Sequence, residues 1–87
     1  MSVAERFAAN LIRIRRNADL SQEDLALMAS LHRTEISQLE RAQRVPRIDT
    51  VVKLAASLEV DAGELLDGIE WRLGAARPGR FELDDGD

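Results

Sequence analysis

Hydrophobic positions along the 87-residue chain recur at helical spacing first and at strand spacing only near the end. Phe7, Leu11 and Ile14 stand at i, i+4 and i+7, which predicts a helix over Val3 to Asn17 with one apolar face. Arg6, Arg13 and Arg16 fall largely on another face. The turn Asn17-Ala18-Asp19-Leu20 leads to Ser21, and Ser21 with Asp24 has the form of a capping box, so a second helix starts at Gln22. Its apolar positions Leu25, Ala26 and Ala29 are small or branched, and it ends near Ala29 or Ser30. A third helix is predicted over Arg33 to Ala42, anchored by Ile36 and Leu39, with Leu31 packing just ahead of it. A fourth, over Ile48 to Leu58, carries Ile48, Val51, Val52, Ala55 and Leu58, with Leu54 adding breadth. Asp61 and Glu64 suggest another capping box, for a short fifth helix bearing Leu65 and Leu66 and stopped at Gly68.

Beyond Gly68 the period changes. Ile69, Trp71 and Leu73 alternate, as do Phe81 and Leu83, and Pro78-Gly79 between them is a turn signal. Residues 69–87 are therefore read as a tail, either extended or a β-hairpin, after a helical domain over 1–68. A lone hairpin is marginal in water, so its apolar residues need a surface to cover. Dimerisation through Ile69, Trp71, Leu73, Phe81 and Leu83 is favoured slightly over docking on the same domain.

Composition narrows the class to a soluble all-α domain. Aromatics are 3%, and no apolar run approaches the roughly 18 residues of a membrane span. With no cysteine and one histidine, no disulfide, metal or other cofactor is expected. The Arg-rich N-terminus resembles a transit peptide only superficially, lacks the apolar core of a signal peptide, and is read as the first helix. Net charge is −4, but it is unevenly spread: residues 1–58 sum to +2 and residues 59–87 to −6. The front of the molecule can still meet phosphates.

Candidate chemistry lies between Ser21 and Glu40. Arg33, Thr34, Glu35, Ser37, Gln38 and Arg41 stand around the anchors of the third helix. Arg pairs bidentately with guanine, Gln with adenine, and a Thr methyl meets that of thymine, so this face suits a major groove. On composition alone an ordinary solvated helix face serves as well. Arg41, Arg44 and Arg47 surround a loop over Gln43 to Pro46 that could clamp a phosphate backbone. Arg15 lies near the edge of the apolar stripe, where an unpaired guanidinium is costly, so it requires a carboxylate.

Gln22, Leu25, Ala26, Ile36, Ser37, Leu39 and Glu40, followed by Pro46 and Leu54-Ala55, resemble the signature of the Cro/repressor helix-turn-helix family, also called the xenobiotic-response-element type. The likeness covers about Phe7 to Leu66. It implies a five-helix, lambda-repressor-like DNA-binding domain with a short C-terminal extension. By the same resemblance Gln22 holds a DNA phosphate, Arg33, Thr34 and Gln38 read bases, and Ser37 and Arg41 reach the groove edge or phosphates. Arg44 and His32 are further phosphate candidates, His32 standing at the family's usual cap position of the third helix. Several members also join an Arg of the first helix to a Glu ending the third, which matches Arg15 and Glu40 as a structural ion pair. Two positions depart from the pattern: Ser30 and Ala42 stand where the family usually has glycine.

The expected function is sequence-specific binding of double-stranded DNA by a cytoplasmic homodimer that regulates transcription from a palindromic operator. The alternative is a protein-interaction module, such as an antitoxin whose acidic, apolar tail neutralises a partner protein. An enzyme is not expected, since the carboxylates sit mostly in caps and on solvated faces and there is no cysteine, Gly-rich phosphate loop or histidine pair.

Overall fold

In the computed structural model, which describes residues 1–75 and 78–84, Ser2 and Ser21 start the first two helices in the same way. Helix α1 (Val3–Asn17) opens with Ser2 Oγ accepting from the Glu5 amide at 3.1 Å, while Glu5 accepts from the Ser2 amide at 2.9 Å. Helix α2 (Gln22–Ala29) opens with the corresponding bonds between Ser21 and Asp24, at 3.0 and 3.2 Å. Each exchange satisfies two amides that a helix start would otherwise leave open. Helices α3 (Arg33–Glu40), α4 (Ile48–Leu58) and α5 (Ala62–Leu65) follow, then strands β1 (Ile69–Arg72) and β2 (Arg80–Leu83).

Helix ends are also alike. Asp19, Ser30, Ala42 and Glu59 all have φ between 54° and 57°, a left-handed backbone. After each, the next amide reaches back to a carbonyl five residues earlier, as in Leu31 N to Ala26 O at 2.9 Å and Gln43 N to Gln38 O at 2.9 Å. This is the Schellman closure, usually made with glycine because a Cβ is strained there. Ser30 and Ala42 thus keep the glycine-type turn without the glycine. The turn at Ala42 also stops α3 at Glu40, two residues before the predicted end.

Phe7, Leu11, Leu25, Ile36, Leu39, Leu54 and Leu65 form the core, each no more than 2% exposed. The predicted apolar stripe of α4 is rotated: Leu54, Ala55 and Leu58 face inward, whereas Ile48 and Val52 face solvent. Helix α5 is a single turn whose Leu65 is fully buried and after which Leu66 is exposed. Asp61 precedes it in the cap position, but its carboxylate makes no capping bond.

The tail is an antiparallel hairpin, with Ile69 opposite Leu83 and Trp71 opposite Phe81. The two rings pack edge to face with centroids 5.1 Å apart. Gly79 is required by space, since a Cβ there would lie 2.4 Å from the Arg72 carbonyl and 2.7 Å from the Trp71 ring. Gly68, at φ 78°, turns the chain into β1 so closely under Asp84 and Arg6 that a Cβ would lie 2.8 Å from Asp84 Cβ.

Arg6 is not on a solvated face. It is 4% exposed and ties the hairpin to α1, donating to the Asp67 carbonyl at 3.1 Å, the Asp84 carbonyl at 3.0 Å and Asn10 Oδ1 at 2.8 Å. Asn10, fully buried, donates in turn to the Leu65 and Asp67 carbonyls at 2.9 and 2.8 Å. A buried guanidinium is tolerated because its donors meet carbonyl and amide oxygens.

Candidate nucleic-acid interface

Helices α2 and α3 are joined by the left-handed turn at Ser30 and pack through Leu25, Ala26, Ala29, Ile36 and Leu39. Small residues on α2 permit close approach, and the apolar anchors of α3 sit three residues apart, which fixes its rotation. Apart from Glu40, the remaining positions of α3 look outward. Arg33, Ser37 and Arg41 follow one another at four-residue intervals, and Thr34 and Gln38 form a parallel row.

Arg33, Thr34 and Arg41 are exposed, while Ser37 and Gln38 are half-buried. Gln38 Oε1 accepts from Arg44 of the following loop at 3.3 Å, which brings that loop arginine against the outward row. Arg41 makes only a long contact, 3.5 Å, to Gln43. His32 is exposed at the start of α3, where Glu35 accepts from its backbone amide at 3.5 Å and its ring makes no cap bond.

Behind this face, Glu40 ends α3 and accepts from Arg15 Nε at 2.6 Å and Arg15 Nη2 at 2.9 Å, a bidentate pair. The side chains are 11% and 6% exposed. Arg15 also donates to the Leu20 carbonyl at 2.8 Å. The hydrogen bonds to Glu40 raise the pKa of Arg15 above its ordinary value against the opposing effect of burial. Glu40 Oε1 accepts a third bond, from the Gln22 carboxamide at 3.0 Å. This holds Gln22 at the N-terminus of α2 with its second amide hydrogen and its carbonyl oxygen still available. Arg15, Glu40 and Gln22 are thus one network joining α1, α3 and α2.

The tail candidates stand apart from this face. Ile69 and Leu83 are half-buried, Trp71 and Phe81 are half-exposed, and Leu73 lies beyond β1 at 82% exposure. Among the described residues no cluster of His, Cys, Asp or Glu could hold a metal ion, and no helix is long and apolar enough to cross a membrane.

Sequence reasoning missed Arg6 and Asn10, which set the tail on the domain. The available signal was their i, i+4 spacing, each immediately before a core residue, Phe7 or Leu11. It missed as well the contact from Arg44 to Gln38.

Two helices joined by a tight turn, the second presenting polar and basic side chains outward, define a helix-turn-helix DNA-binding unit. Residues 11–65 match the helix-turn-helix family HTH_3, so the chain belongs to that family and is of its Cro/C1-like type, a DNA-binding transcriptional regulator. The chain is 38% identical over 66 residues to the control protein C.SmaI of Serratia marcescens, covering 76% of this chain and 79% of that protein. It is 42% identical over 50 residues to the control protein C.BamHI of Bacillus amyloliquefaciens, covering 58% and 62%. The crystal structure of the restriction-modification controller protein C.AhdI from Aeromonas hydrophila superposes with a TM-score of 0.70 at 34% identity, covering 71% of this chain and 94% of that one. The hairpin lies outside the family match.

Proposed function

We infer that this chain binds duplex DNA sequence-specifically as a homodimer, lays α3 in the major groove and regulates transcription from a palindromic operator. The observation that carries the reading is the outward surface of α3, with Arg33 and Thr34 in its first turn and Gln38 one turn on, beside a Gln22 already oriented by Glu40. Arg33, Thr34 and Gln38 contact base edges, which carry sequence information. Gln22, His32, Ser37, Arg41 and Arg44 contact phosphates, which set register, with the N-terminus of α2 adding its dipole. Ile69, Trp71, Leu73, Phe81 and Leu83 serve pairing of the two copies.

Likeness to proteins named as controllers of restriction-modification systems supports a narrower version, in which the regulated genes belong to such a system. Selection of bound sequences from a random duplex pool tests the reading. The enriched motif is expected to be an inverted repeat with half-site centres about 10 to 10.5 base pairs apart. Its affinity should fall with salt at a log–log slope of about −0.9 per phosphate contacted. A pool without enrichment, or a motif lacking the inverted repeat, contradicts it.

A further inference from the structure

The helical domain leaves an apolar groove of about 310 Å³ uncovered. Phe7, Val45, Ile48, Val52, Leu66 and Ile69 line it. Ile48 is 85% and Val52 58% exposed, on a helix whose other face is core. A contiguous apolar surface of this kind marks a contact site rather than scattered surface residues.

The hairpin carries a shape that fits it. Its register puts Ile69, Trp71, Phe81 and Leu83 on one face, and Glu70, Arg72, Arg80 and Glu82 on the other, where Arg72 pairs with Glu82 at 2.7 Å. Exposure rises from the half-buried Ile69 and Leu83 outward to Trp71 and Phe81, and the molecule measures 46 × 23 × 21 Å. A hairpin of two strands with half its apolar face in water is poorly supported by its own domain.

Two observations indicate what covers the groove. Ile69 belongs both to the groove wall and to the hairpin face, so the two form one continuous apolar strip. A copy related by a two-fold axis and laid along that strip meets groove with hairpin twice, which closes the assembly at two chains. The area is adequate: taking about 150 to 250 Å² per aromatic, the exposed parts of Trp71 and Phe81 with the groove residues amount to on the order of 1,000 Å² over two copies. A polar rim brings this to the roughly 1,200 to 2,000 Å² of a specific interface.

We propose that the groove is occupied by the Trp71–Phe81 end of the hairpin from a second copy of this chain, the two copies exchanging hairpins across a two-fold axis. The proposal rests on the homodimer reading above and adds which surfaces meet. The chain has no cysteine, so Val52→Cys and Arg80→Cys, the latter on the hairpin face opposite the Trp71 and Phe81 rings and both at exposed positions, give unambiguous reporters. The two purified variants are mixed without DNA and treated with a short bis-maleimide. Dimers containing one chain of each kind should predominate over those from either variant alone. Val52→Arg should raise the dimer dissociation constant about tenfold or more and shift the emission of Trp71, the only tryptophan, toward that of a solvated indole. Crosslinks confined to Val52→Cys with itself would show groove against groove and overturn the proposal. A chain that stays monomeric with concentration-independent Trp71 emission also overturns it, whether the hairpin docks on its own domain or serves another protein. Failure to select an operator would leave the crosslink standing, and loss of the crosslink would leave an operator selection intact, so the two readings fail separately.

Discussion

Glu40 receives both ends of its charge pairing from one side chain, Arg15, whose Nε and Nη2 donate to the two carboxylate oxygens at 2.6 and 2.9 Å. The pair joins the first helix to the last residue of α3, and the same carboxylate orients Gln22. Because both side chains are nearly buried, removing one strands the other. Glu40→Ala is expected to cost about 3 to 5 kcal/mol of unfolding free energy. Replacing both by apolar residues should cost much less, and a double-mutant cycle in urea measures the coupling. A guanidinium with a raised pKa contributes stability that is full below its ordinary pKa and lost only as pH rises through the higher folded value. The arginine side of the pair is therefore insensitive to pH through the neutral range.

Ser30 and Ala42 hold left-handed backbone without glycine. Replacing either with glycine removes a strained Cβ, and each change should stabilise the fold by about 1 kcal/mol. Denaturant midpoints should rise with unchanged slopes. A loss of stability on Ala42→Gly would mean that the Ala42 methyl contributes more by packing than its backbone costs.

Arg6 fixes the two ends of the hairpin through the Asp67 and Asp84 carbonyls. Arg6→Ala removes three donor contacts from this cluster, although Asn10 still donates to the Asp67 carbonyl and Arg13 to Asn10 Oδ1, and is expected to cost about 3 kcal/mol. Hydrogen exchange should accelerate in β1 and β2 more than in α2 to α4, with a change in Trp71 emission.

Beside Arg6 in the first turn of α1, Glu5 has a pKa lowered chiefly by the hydrogen bond from the Ser2 backbone, then by that of its side chain. A lowered folded pKa adds stability above the ordinary carboxylate range, which is lost as pH falls through the folded value. Glu5→Gln should flatten the acid limb of melting temperature against pH and leave the neutral plateau little changed.

The bounds of α1, α2 and α4 were legible because serine caps and helical stripes mark them locally. The end of α3 was not, because a left-handed alanine carries no sequence signal. Nor was the rotation of α4: Ile48, Val51, Val52, Leu54, Ala55 and Leu58 cover too wide an arc to say which edge faces the core. Burial of Arg6 depends on carbonyls 61 and 78 residues away, which its local i, i+4 spacing with Asn10 does not identify. In the candidate site, the need of Arg15 for a carboxylate could be read from its place beside the stripe, and the resemblance supplied Glu40. The hold of Glu40 on Gln22 and of Arg44 on Gln38 required the packed helices.

The most direct test of α3 as the reading element is to compare three proteins on the selected operator and its single-base variants at fixed salt. Arg33→Ala should lose about 1 to 3 kcal/mol and stop discriminating at one base pair per half-site. Gln22→Ala should weaken binding to every sequence alike, leaving discrimination intact. Unchanged affinity and base preference in both variants would contradict the account.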